Sequence, residues 1–151
     1  MRKLVAYPLS IIFYLAFGLV IVIFHPVQWL CYNLFGYQAH KKSVDYLNFM
    51  IMRTLNLLGT RFTFKNDYKL NRDQPIIIVA NHQGQWDIPP IIWYLRRIHP
   101  KFISKVELGK GIPSISYNLR KGGSALIDRK DKRQSIVAIR DLTKTMNSTN
   151  R

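Results

Sequence analysis

Acidic residues are scarce in this chain: 8 Asp and Glu stand against 23 Lys and Arg, a formal charge of +15 over 151 residues. A surface so unbalanced carries a positive field that attracts polyanions. The partners it admits are anionic lipid headgroups, phosphorylated substrates and carriers, and nucleic acid. Cysteine is nearly absent, and Cys31 alone excludes an intrachain disulfide and any cysteine-rich metal site. A reducing, cytoplasm-facing location is compatible with that single thiol. The sequence contains no glycine-rich phosphate loop, no metal-ligand cluster and no internal repeat. The length leaves room for one domain with a modest core.

Charge is missing altogether from Leu4 to Phe24, where Ser10 is the one strongly polar side chain. At about 1.5 Å per residue this run makes roughly 31 Å of helix, close to the hydrocarbon thickness of a bilayer. It is longer than the apolar part of a usual signal peptide and no small-residue cleavage site follows it, so it reads as a retained membrane anchor. Pro26 interrupts the pattern, which resumes through Val27, Leu30, Leu34 and Phe35 to Gly36. Trp29, Tyr32 and Tyr37 suit the headgroup boundary. Arg2-Lys3 before the pair and Lys41-Lys42 after it place both ends on the cytoplasmic side, as a helical hairpin or a helix pair dipping into one leaflet requires; a single span is the alternative.

From Ser43, Val44, Leu47, Ile51, Leu55 and Leu58 fall on one helical stripe that Gly59 closes. Arg61–Lys65 alternates like a half-buried strand, and residues 66–74 read as a polar loop. Phe102–Ser104 and Ser124–Ile127 read as strands. Asp131 with Gln134 three residues on resembles a capping box, opening a helix whose core stripe is Ile136, Ile139, Leu142 and Met146.

The chain is organised around Ile76–Pro90. Ile76–Val79 is a β-branched run, the pattern of a strand buried on both faces of a mainly parallel sheet. It leads to Asn81-His82, and after a short loop Asp87 stands where the N-cap of the next helix belongs, just before Pro89. His82 and Asp87 can meet across this turn. An imidazole whose second nitrogen is held by a carboxylate is a general base fixed in one tautomer. No serine or cysteine is near enough in sequence to act as a covalent nucleophile, which points to a substrate hydroxyl as the attacker and to acyl transfer. Taken alone, the same residues also read as a helix cap and a loop histidine.

Asn81-His82 and Asp87 after an apolar run resemble the His-x4-Asp motif of the glycerolipid acyltransferases, in particular the 1-acylglycerol-3-phosphate acyltransferase family. The resemblance implies that His82 takes the proton of an acceptor hydroxyl as it attacks an acyl thioester, and that Asp87 orients His82. Gly123–Arg129, a glycine followed by an apolar strand ending in Ile-Asp-Arg, resembles the family's second motif. Asn81, Gly123, Asp128 and Arg129 are then substrate-binding candidates, Arg129 for the acceptor's phosphate, whose oxygens a planar guanidinium fork matches. Lys105, in a basic-then-acidic pair with Glu107, is a further phosphate candidate. The implied co-substrate is acyl-CoA or acyl-carrier protein, with no cofactor and no metal. The implied acceptor is lysophosphatidic acid, and the implied place is the cytoplasmic face of the inner membrane.

The expected fold is α/β: a membrane-embedded helix pair over 1–40, then a mainly parallel sheet flanked by helices over 41–151. The family's third motif, a Phe-Pro-Glu-Gly-Thr-Arg run, and its fourth are not in the sequence, so the domain is expected to be C-terminally incomplete, a fragment or a naturally shortened product. The alternative function is an inactive basic membrane-binding protein, or an acyltransferase for another lysophospholipid or for glycerol 3-phosphate. Nucleic acid is the weaker partner, since no recognition motif accompanies the charge.

Overall fold

The computed structural model describes residues 2–65 and 76–149. The expected polar loop at 66–74 lies outside the described residues. The elements run α1 (Arg2–Asn56), a 3-10 turn (Gln85–Asp87), α2 (Ile88–Tyr94), β1 (Ile103–Lys105), a second 3-10 turn (Val106–Gly109), α3 (Ile115–Lys121), β2 (Ala125–Ile127) and α4 (Lys132–Thr149).

The expected helix pair broken at Pro26 is not found. Helix α1 passes through Pro8 and Pro26 and leaves helical geometry only at Gly36, with φ 78° and ψ −170°. A Cβ at Gly36 would meet nothing within 4 Å, so glycine is needed there for its backbone freedom and not for space. Near Pro26, which has no N–H to donate, α1 is met from outside: the Ser114 hydroxyl donates to the Ile21 carbonyl, and the Ser114 N–H donates to His25 Nδ1 at 3.0 Å. Phe13 lies before the bend and Leu47, Ile51 and Leu55 lie after it, and these four form one buried cluster. The two halves of α1 therefore pack on each other. The stripe read from the sequence supplies this core at Val44, Leu47, Ile51 and Leu55, whereas Leu58, beyond the helix end, is exposed.

The outer side of the first half keeps large apolar side chains in the open, among them Ile11, Leu15, Leu19 and Ile23. By length and composition α1 is able to cross a membrane, and this uncovered apolar surface fits membrane association.

The architecture is mostly helical with a small parallel sheet, which agrees with α/β only in outline. β1 and β2 pair in parallel, with Ile103, Ser104 and Lys105 opposite Ala125, Leu126 and Ile127. The other two expected strands are corrections. Neither Arg61–Lys65 nor Ile76–Val79 forms a strand, and Ile77 and Val79 are each 91 % exposed. Both runs have strand-forming composition, but a strand exists only against a partner, and neither has one among the described residues. The stripe on α4 is also less buried than expected: Ile136 and Ile139 are exposed, because α4 packs chiefly on the short β2.

Candidate active site

The loop before α2 holds its shape through one carboxylate. Asp87 Oδ2 accepts the main-chain N–H groups of Gln83 at 2.8 Å and Gly84 at 2.9 Å, and lies 3.2 Å from His82 Nδ1. Asp87 precedes α2 as expected but makes no forward capping bond; its side chain turns back into the loop. The N–H groups of Gly84 and Gln83, and then the His82 ring, hold its carboxyl below the usual carboxylate range. Asp87 is thus an anion at neutral pH, and Nδ1 of His82 is the donor to it. That leaves Nε2 without a partner among the described residues. The two side chains are 54 % and 42 % exposed, so a large substrate can reach the imidazole directly. Asn81 is exposed next to His82.

Trp86 fastens this loop to α1. Its ring meets Phe13 at 5.3 Å and Phe17 at 5.2 Å, both edge to face. The sequence reading passed over it, although a lone tryptophan inside a polar loop was the visible signal of an anchor.

The second group of candidates gathers at the C-terminal end of the parallel strands. Lys105 ends β1 directly opposite Ile127, and Asp128-Arg129 follow at once on β2. Lys105 Nζ lies 2.8 Å from Glu107 Oε1, both half-exposed, and the ammonium holds the Glu107 carboxyl low. Arg129 is exposed. The Asp128 carboxylate accepts the Lys130 N–H at 2.9 Å and shapes the turn that presents Arg129.

Gln134 locks that turn, a role the sequence reading assigned only to a cap. Its Oε1 accepts the Asp128 N–H at 2.8 Å and its Nε2 donates to the Leu126 carbonyl at 3.0 Å, extending the pairing of β2 by a side chain. The Asp131 half of the capping box is present, with Oδ1 accepting the Gln134 N–H at 3.0 Å. Gly123 stands at φ 76°, a backbone conformation that favours glycine.

The His82 loop docks on α1 through Trp86 on Phe13 and Phe17, and the connection into α3 docks on the following turns through Ser114 on Ile21 and His25.

No curated protein and no solved structure matches the chain significantly. A family model described as Acyltransferase, the domain of the 1-acylglycerol-3-phosphate acyltransferases, matches residues 61–151, more than half of the chain and both groups of candidates. The chain belongs to this acyltransferase family.

Proposed function

We propose that the protein transfers a fatty acyl group from an acyl thioester to the free hydroxyl of a lysophosphatidic-acid-like acceptor, giving phosphatidic acid. The observation that carries this reading is the 3.2 Å pairing of His82 Nδ1 with an ionised Asp87 on an exposed loop, with Nε2 unpartnered among the described residues. Nε2 of His82 takes the hydroxyl proton as the acceptor oxygen attacks the thioester carbonyl carbon. The C–O bond forms, the C–S bond breaks, and the imidazolium returns the proton to the departing sulfur. Asp87 balances the imidazolium in between. Arg129 and Lys105, at the end of the strands, hold the acceptor's phosphate by charge-assisted bonds.

The donor is acyl-CoA or acyl-carrier protein, both polyanions suited to the +15 chain. Membrane lipids are the solvent for α1, and the lysine-rich ends favour the cytoplasmic face of the inner membrane. The test is labelled acyl transfer by the purified chain in detergent micelles, with lysophosphatidate offered against glycerol 3-phosphate. Arg129→Met is expected to raise KM for lysophosphatidate about tenfold or more with a smaller effect on kcat. Equal KM values in the variant and the parent would remove Arg129 from the phosphate site.

A further inference from the structure

A second cluster of titratable groups lies where α1 bends. Tyr37, His40, Lys41 and Asp45 line a narrow cleft whose far wall includes His99. His82, Asp87, Lys105 and Arg129 line none of it. Helix α2 stands between, with Asp87 at its start and Ile92 in the cleft wall.

The charges of this cluster do not balance. Lys101 reaches three of the lining residues: Nζ donates to the Gly122 carbonyl at 2.8 Å, contacts His99 Nε2 at 3.2 Å and bonds the Tyr37 hydroxyl. All three are neutral. Asp45, the carboxylate in the cleft, is taken by Lys41 at 3.1 Å. Lys101 is thus a half-buried cation without a counter-charge among the described residues. Desolvation and Lys41 bring its pKa from 10.5 down to about 8, so it remains charged at pH 7. An unbalanced ammonium away from water is costly unless an anion joins it.

His40 supplies an independent observation. It is fully buried and lines the cleft, and neither ring nitrogen makes a well-formed hydrogen bond, although the main chain of Gln28 lies close enough to favour its protonated form. Burial nevertheless holds its pKa low, leaving a neutral ring with an N–H to donate. A buried polar group without a partner in a polar cleft marks the place of a missing polar one. Tyr37, two residues beyond the exposed Phe35 of α1, lines the cleft. Arg97 and Lys121, both exposed, flank it in sequence.

We propose that this cleft binds a phosphate-type oxyanion, with Lys101, behind the His99 and Gly122 wall, supplying the charge and His40 an N–H. The source the position favours is the headgroup of an anionic lipid lying along residues 2–35. Only the lipid source rests on membrane association of α1; the anion site stands without it and without any transferase activity.

The test is calorimetric titration of the full chain in neutral detergent with inorganic phosphate, against chloride at equal ionic strength, with phosphatidate-doped micelles as competitor. With Arg129→Met present throughout, so that the proposed acceptor-phosphate site is not read, saturable phosphate binding is expected, weakened about tenfold or more by Lys101→Met and kept in Lys101→Arg. Competition by phosphatidate assigns the lipid source; binding without competition assigns free phosphate to the same site. Thermal unfolding of each preparation checks the fold, and Lys101→Gln replaces Lys101→Met if the latter does not fold. Phosphate binding no stronger than chloride, or equal binding in folded variants lacking the Lys101 charge, overturns the proposal.

Discussion

Removing the Trp86 ring should both destabilise the protein and disable the loop it anchors. Full truncation of a core tryptophan costs about 3–5 kcal/mol. Trp86 is only partly buried, which brings the burial part down to roughly 1–2 kcal/mol. Its two edge-to-face contacts, with Phe13 at 5.3 Å and Phe17 at 5.2 Å, add about 0.5 kcal/mol each at the low end of such pairs. Trp86→Ala should therefore lose about 2–3 kcal/mol, a fall in Tm of roughly 5–10 °C for a chain of this length. The second effect separates anchoring from plain stability. With the loop loose, His82 and Asp87 are no longer held against α1, and turnover should fall about tenfold or more at temperatures where the variant is fully folded. Trp86→Phe, which keeps a ring on the two phenylalanines, should recover most of both. Chemical denaturation in micelles and acyl transfer on one preparation decide the matter. A Trp86→Ala protein with parental turnover, or one losing under about 0.5 kcal/mol, refutes the anchoring argument.

Three further outcomes are expected. In Asp87→Asn the amide oxygen can occupy the place of Oδ2 and keep the Gln83, Gly84 and His82 bonds; unfolding should be nearly unchanged while turnover falls about tenfold or more, because only the charge that balances the imidazolium is lost. Gly36→Ala forces an L-residue to φ 78° and ψ −170°, a region essentially reserved for glycine, and should cost about 1–3 kcal/mol in thermal unfolding. The third concerns Lys101, whose folded pKa of about 8 lies below its usual 10.5. Between those values the unfolded chain holds more protons at this group, so its contribution to stability rises as pH rises from about 8 to 10.5. Denaturation midpoints should climb over that window in the parent relative to Lys101→Met; parallel pH profiles would contradict it.

What could be read without coordinates was what local sequence decides. The stripe from Val44 to Leu55, the two short strands, and the approach of His82 to Asp87 over a five-residue step all follow from periodicity and turn chemistry. Errors came where tertiary context overrides local preference. Pro26 has the composition of a break, yet α1 continues there, with Ser114, far away in sequence, bonded to the adjoining turn. Ile76–Val79 has the composition of a strand, but strand formation is a property of a pair and the run stands unpaired. Gln134 had the spacing of a capping box and instead closes the end of β2, since the carbonyl of Leu126 and the N–H of Asp128 both lie within its reach. The cleft around His40 and Lys101 joins residues about 60 apart in sequence, a juxtaposition no local pattern announces.

The central claim is that Nε2 of His82 removes the acceptor's proton. The most direct measurement is acyl transfer from labelled acyl-CoA to lysophosphatidate by His82→Ala and the parent, with membrane partitioning and thermal unfolding followed on the same preparations. Loss of transfer by about a thousandfold or more is predicted, since both general-base catalysis and the charge pairing with Asp87 disappear, with partitioning and fold unchanged because the His82 side chain is half-exposed and packs in no core. Transfer at the parental rate by a folded, membrane-bound His82→Ala protein would contradict the account.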